Sequence, residues 1–240
     1  MKRSLFLRIK CTAAIRMLAY GVPTDACDEH VKSGESTVIE CTRNFCEGVI
    51  VVFKEEYLRR SSVEDLQRLL LVGEDHGFPG MIGSVDCMHW QWKNCPKAWQ
   101  GQFTSGHKGT TTFILEAVTR FDDIESGKAP YVDFTVNGRV YNLAYYLADG
   151  IYPKWPVFVQ SLKLPQGDKG QLFAKQQESC RKDVERAFGV LQARFAIIRQ
   201  PARMWDLDVL GRSEPNIHAR PELRDRAQHI QLKKDLIEHI

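Results

Sequence analysis

Met81-Ile-Gly-Ser-Val-Asp-Cys-Met-His-Trp90 is an apolar stretch with one carboxylate in its middle, and its reading decides the fold. Residues 81–92 are rich in β-branched and aromatic side chains and follow a break at Gly73 to Pro79. They read as a strand that is buried along most of its length. An unpaired charge on such a strand is expensive, so Asp86 needs a partner. A second apolar run, Tyr141-Asn-Leu-Ala-Tyr-Tyr-Leu-Ala-Asp-Gly150, ends on Asp149 in the same manner. A third acid, Glu185, lies in the helical pattern Arg181-Lys-Asp-Val-Glu-Arg-Ala-Phe-Gly-Val190. Two strand-borne aspartates and a helix-borne glutamate can converge at one end of a sheet. That convergence suits Mg²⁺ or Mn²⁺, hard ions that take carboxylate oxygen and keep several waters. The plainer readings are that Asp149 caps a turn and that Glu185 pairs with Arg181 one helical turn earlier.

The elements around these runs follow from local chemistry. Asn137-Gly138 separates Tyr131–Val136 from the run 139–147, and both residues tolerate the positive φ that a two-residue hairpin turn demands. Residues 111–118 form another strand pattern. Residues 174–196 form the longest helical one, with Val184, Ala187, Phe188, Leu191 and Phe195 as its apolar stripe. Strands followed by a long helix indicate an α/β (α+β) layer. Upstream, residues 8–20 read as a helix ended by Gly21 and Pro23. Ser36 or Thr37 caps a second helix, whose stripe is Val38, Cys41, Phe45, Val49 and Val52. Ser62 with Asp65 opens a third over Val63–Leu71 as a capping box. The expected organisation is a helical unit over 1–75, which also suits a helix-turn-helix DNA reader, a catalytic-type domain over 76–210, and a tail over 211–240 with a terminal helix.

Composition narrows the class. At 240 residues with 43% hydrophobic and 26% charged content, the chain can bury a core and is not of disordered type. Net charge is only +3, so the distribution matters more than the sum. Lys2, Arg3, Arg8, Lys10 and Arg16 precede any acid, and Arg181, Lys182, Arg186 and Arg194 flank Glu185. A basic segment beside an acidic centre suits a polyanion, and those last four cations are the candidate phosphate contacts. Seven cysteines make an odd number without a disulfide framework, which points to reduced thiols. Cys87, His89, Cys95 and His107 are zinc-type residues, but their spacing matches no familiar zinc motif. Buried cysteine and hydrogen-bonded histidine is the plainer reading. Trp90, Trp92, Trp99 and Trp155 read as core first and as a stacking groove second.

Three blocks carry a resemblance. The stretch Gly77-Phe-Pro-Gly-Met-Ile-Gly-Ser-Val-Asp-Cys-Met-His-Trp-Gln-Trp-Lys-Asn-Cys-Pro96 resembles the first catalytic block of plant transposon proteins of the PIF/Harbinger type. Tyr145-Tyr-Leu-Ala-Asp-Gly-Ile-Tyr-Pro153 resembles a later block, and Arg181-Lys-Asp-Val-Glu-Arg-Ala-Phe-Gly-Val-Leu-Gln-Ala-Arg-Phe195 the glutamate block. The resemblance spans most of 10–210. It implies a ribonuclease-H-like mixed sheet with flanking helices and a DDE metal site with Asp86, Asp149 and Glu185 as catalytic and metal-binding residues. It also implies Mg²⁺ or Mn²⁺ as cofactor, nuclear location, and DNA cleavage or strand transfer. The expected partners are DNA, an accessory DNA-binding protein and further copies of the chain, with no membrane.

Two departures stand against full activity. After Ala117-Val-Thr-Arg-Phe-Asp-Asp123 the family's next strand and a further acidic ligand are missing, and neither Asp122 nor Asp123 replaces that ligand. After Asp206-Leu-Asp-Val-Leu210 a helix is missing. The first loss leaves 111–118 as an apolar sheet edge, and the second uncovers part of one sheet face. Each removes several large side chains at roughly 1.5–3 kcal/mol apiece, against a folding margin of about 5–15 kcal/mol. The expectation is a metal-dependent nuclease or transposase with weak or no cleavage. The alternatives are a non-catalytic DNA-binding module or a decayed chain.

Overall fold

The structure is a computed structural model that describes residues 2–21, 34–57, 59, 61–104, 109–118, 130–202 and 225–240. His107, Asp122, Asp123 and the segment 203–224 lie outside the described residues. The elements in chain order are α1 (Lys2–Tyr20), α2 (Glu35–Tyr57), α3 (Val63–Asp75), β1 (Met81–Gln91), α4 (Lys97–Phe103), β2 (Thr112–Val118), β3 (Tyr131–Val136), β4 (Arg139–Leu143), β5 (Tyr145–Ala148), β6 (Phe158–Gln160), α5 (Gly167–Arg194), α6 (Ala196–Arg199) and α7 (Arg226–His239). They fall into two compact units. One gathers Met1–Arg59, Met88–Leu115 and Phe188–Arg212; the other gathers Arg60–Cys87, Glu116–Ala187 and Ser213–Ile240. The chain is thus of mixed α/β class, with helices flanking the sheet.

The second unit is built on β5, β6 and the Met81–Cys87 part of β1. β1, β5 and β6 run parallel, with Ser84 opposite Leu147 and Leu147 opposite Val159. All four residues of β5 are buried, and they alternate between two cores. Tyr146 and Ala148 join Val85 and Phe158 against Leu66, Leu69 and Leu70 of α3. Tyr145 and Leu147 join Phe173 of α5 and Leu232 and Leu236 of α7 on the other face. Covering both faces with helices is the arrangement that lets a parallel strand be apolar throughout. Among the described residues the strand order is β2-β1-β5-β6, with β2 at one end, and its Ile114 is exposed.

The punctuation read from sequence forms these elements. Asn137 (φ 49°) and Gly138 (φ 78°) make the tight turn between β3 and β4, which pair with Val136 opposite Arg139. Ser62 Oγ accepts from the Asp65 amide and Asp65 returns the bond to the Ser62 amide, closing the capping box of α3. At the other end of α3, Gly73 lies so close to β1 that a Cβ there would sit 2.6 Å from the Met81 carbonyl oxygen. That contact explains a glycine within a helix, where it otherwise weakens the element.

Three readings are corrected. α2 starts at Glu35, so Ser36 and Thr37 lie in its first turn instead of capping it. Its stripe stops early: Val38 is buried, but Val49 and Val52 are exposed, as are Ile50, Val51 and Phe53. α1 meets α2 through Ala13, Met17 and Val38, near the start of α2, and its second half has no apolar cover among the described residues. Finally, the sheet face expected to lie open is covered, because α7 places Leu232 and Leu236 in the core. The terminal helix is part of the sheet unit's interior.

A polar clamp fixes α7. Asp235 accepts hydrogen bonds from Tyr141 Oη at 2.6 Å, from Arg139 at 2.9 Å and from Gln231 at 2.9 Å, while Asn137 donates to its carbonyl. Burial, and then the Asp235 carboxylate, push the Tyr141 phenol up to about 12. Burial also opposes charge on Asp235, but the hydrogen bonds from Tyr141, Arg139 and Gln231 outweigh it and hold the carboxyl below its usual range. A carboxyl depressed by folding stabilises the fold above the unfolded-state value of about 4 and loses that contribution as acid protonates the folded form. We predict a stability plateau at neutral pH and a fall below about pH 4 in thermal unfolding. Asp235→Asn should lower the melting temperature at pH 7 and flatten that acid limb.

Candidate functional site

The acidic centre is set by α5. Its inward positions are Phe173, Gln177, Arg181, Val184 and Phe188, spaced by three and four. Two of the five are polar, so each needs a partner. Gln177, fully buried, donates from Nε2 to the carbonyls of Val159 (2.8 Å) and Ala148 (3.4 Å), at the carboxyl ends of β6 and β5. Ser84 Oγ of β1 donates to the Cys180 carbonyl at 3.3 Å. These bonds lay α5 on the sheet face that carries Tyr145, Leu147 and Val159.

One turn beyond Gln177 stands Arg181. Its Nη2 lies 3.2 Å from Asp86 Oδ1 and 3.5 Å from Glu185 Oε1. The Arg181 side chain is only 9% exposed and that of Asp86 15%, against 43% for Glu185. The partner that Asp86 requires on its apolar strand is therefore a guanidinium. Asp149 follows β5 directly. Carrying the β1–β5 register two residues past the Ser84–Leu147 pair places Asp149 opposite Asp86. The alternation of β5 puts it on the face that α5 covers. The Asp149 carboxylate accepts from the Ile151 amide at 3.0 Å, so it also caps its turn.

Asp86 and Glu185 are joined through Arg181, and Asp149 follows β5, the strand that pairs with β1. Among the described residues, no group of three acids, histidines or cysteines is drawn tightly enough to hold a metal as placed. The donor chemistry itself suits a hard divalent ion, being three carboxylates and no sulfur. The cation seated on Asp86 is the Arg181 guanidinium.

The remaining candidates divide clearly. Lys182, Arg186 and Arg194 are exposed on α5, and Arg186 pairs with Asp183 at 3.1 Å. Arg181, grouped with them in sequence as a phosphate contact, faces inward. Cys95 is buried and His89 bonds Thr112 Oγ1 at 3.1 Å, the plainer arrangement of the zinc-type residues. Trp92 is core, set 4.5 Å from the Phe113 ring. Trp90, its Nε1 on the Gln200 carbonyl, lines a cleft of about 350 Å³ with His89, Gln192 and Arg199. Cys11, Cys41, Cys46, Cys95 and Cys180 form no disulfide, and no described helix is long and apolar enough to cross a membrane. Sequence reasoning missed Gln177 and the burial of Arg181. The signal was present, since both fall in phase with Val184 and Phe188 once the stripe is extended toward its start.

A buried ion pair that loses one member leaves the other charge stranded. We predict that Asp86→Ala destabilises the fold by about 3 kcal/mol, whereas Asp149→Ala costs about 1 kcal/mol, the worth of one turn hydrogen bond. Urea unfolding of the two variants checks the order. Equal losses would contradict the placement of Arg181.

The chain matches the family described as plant transposon protein over residues 55–123 and 119–214. The two matched segments overlap at residues 119–123. No curated protein and no solved structure matches. With two-thirds of its length matched, and with the first and third acidic blocks joined across the sheet end, the chain belongs to the plant transposon protein family.

Proposed function

We propose that the chain is a transposase-derived protein of the Harbinger type, descended from a divalent-metal-dependent DNA endonuclease and strand-transfer enzyme, with weak or absent cleavage of its own. The observation that carries this reading is the register that sets Asp149 opposite Asp86, together with the link from Asp86 through Arg181 to Glu185. Asp86, Asp149 and Glu185 are the residues that would hold Mg²⁺ or Mn²⁺. When bound, such ions polarise the scissile phosphate and generate a nucleophile at neutral pH. The chain's own part is positional. Gln177 holds α5 on the strand ends, and Lys182, Arg186 and Arg194 offer exposed cations to the DNA backbone. The nucleus is the compartment where this substrate is met. An accessory DNA-binding protein or a second copy of the chain would supply target recognition beyond these contacts.

Two observations support weak chemistry. Arg181 occupies Asp86, and the match to the family is in two segments that meet at 119–123, beside the point where a strand and a further ligand are expected. The first also favours the second reading, a DNA-binding module without chemistry, because a resident guanidinium satisfies the acids without any metal.

Three phosphate contacts predict a slope of roughly −3 for log affinity against log salt, at about 0.9 per contact. Filter retention of duplex DNA across a salt series measures it, and the Lys182→Ala, Arg186→Ala, Arg194→Ala triple variant should flatten it. No retention at low salt would remove DNA as partner. Plasmid nicking with Mn²⁺ separates the two readings. We expect little nicking by the chain as it stands, and Asp86-dependent nicking by a variant carrying the family's segment after Phe121. Nicking by neither favours the module. Efficient nicking by the unaltered chain overturns the claim of impairment.

A further inference from the structure

The acidic centre contains its own cation, the Arg181 guanidinium. An arginine keeps its charge throughout the accessible pH range. Arg181 is nine-tenths buried, and its Nε is a buried donor with no partner among the described residues. Burying a guanidinium with a donor unsatisfied is costly, and the contacts to Asp86 and Glu185 offset that cost. The same Nη2 serves both carboxylates, at 3.2 and 3.5 Å, so one nitrogen stands where two acids meet. The position is fixed from outside the site. Gln177, one turn earlier, ties α5 to the ends of β5 and β6, and Val184 packs on the following turn.

We propose that Arg181 is a resident counter-cation that gates the centre: it and a divalent ion exclude one another at Asp86, so a metal must displace the guanidinium to enter. This inference rests on reading Asp86, Asp149 and Glu185 as a metal-holding set. The exclusion follows from charge and space. A carboxylate oxygen held by a guanidinium cannot also be a close ligand of a divalent ion without bringing two cations together. The chain with Arg181 in place satisfies its acids at no metal concentration. The chain without it presents three carboxylates with no internal charge partner. Charged hydrogen bonds of this type shift equilibria by roughly ten- to a hundredfold. Removal of Arg181 should therefore tighten metal binding by about tenfold or more, while making the metal-free fold less stable.

The test is calorimetric titration of the full chain with Mn²⁺, with thermal unfolding of each protein run with and without the ion. The proteins are wild type, Arg181→Gln, Arg181→Lys, Asp86→Asn and the Arg181→Gln, Asp86→Asn pair. Arg181→Lys covers the event that the glutamine variant does not fold, because lysine keeps the charge but lacks the planar fork. The expected result is Mn²⁺ binding at least about tenfold tighter in Arg181→Gln and intermediate in Arg181→Lys, and absent from both proteins that carry Asp86→Asn. Mn²⁺ should also raise the melting temperature of Arg181→Gln more than that of wild type. Equal or weaker binding in both Arg181 variants, with binding still lost in Asp86→Asn, overturns the gate and leaves the metal-holding set intact. No Asp86-dependent binding in any protein overturns the metal-holding set, and the gate with it.

Discussion

A guanidinium buried at the carboxyl end of a parallel sheet is the constraint around which the sheet unit is organised. Arg181 can be buried only because Asp86 stands on the central strand beneath it and Glu185 one turn beyond it. Asp86 in turn can stand on an apolar strand only because Arg181 meets it. Neither residue is tolerable alone, since an unpaired charge in such surroundings costs several kcal/mol by the usual reckoning, roughly 3–5 for a broken pair. The pair therefore ties the position of α5 to the register of β1. Gln177 repeats the device one turn earlier with backbone carbonyls as its partners. Together they hold the helix where its acid faces the two strand ends.

The same constraint connects structure to function. Three carboxylates suit hard cations, and here one of them, Asp86, is met by a guanidinium from the chain's own helix.

Much of the fold was legible because it was written in local chemistry. The Asn137-Gly138 turn admits few alternatives, and the Ser62–Asp65 box is a reciprocal pair readable by spacing alone. β1 and α5 announced themselves by length and periodicity. What was not legible depended on partners distant in sequence. The three-residue β6 is too short to show a period, and it is a strand only because it pairs with β5. α7 reads as a terminal helix, but nothing local shows that Asp235 meets Tyr141 and Arg139 of the hairpin, with Leu232 and Leu236 buried beneath. The three acids were legible in the sequence, and the cation between two of them was not. Burial of Arg181 looks like a surface charge in sequence, because arginine on a helix is ordinarily solvated. Asp86 signalled a missing partner correctly, and a metal was the expected one; the helix supplied an arginine.

The central claim is that Asp86, Asp149 and Glu185 form one centre in which Arg181 and a divalent ion are alternatives. It is tested most directly by anomalous diffraction at the manganese edge from crystals of the Arg181→Gln chain grown with Mn²⁺. The account predicts an anomalous peak within direct coordination distance of Asp86 and at least one of Asp149 and Glu185. Manganese bound only elsewhere, or the three carboxylates turned apart with Arg181 gone, would contradict it.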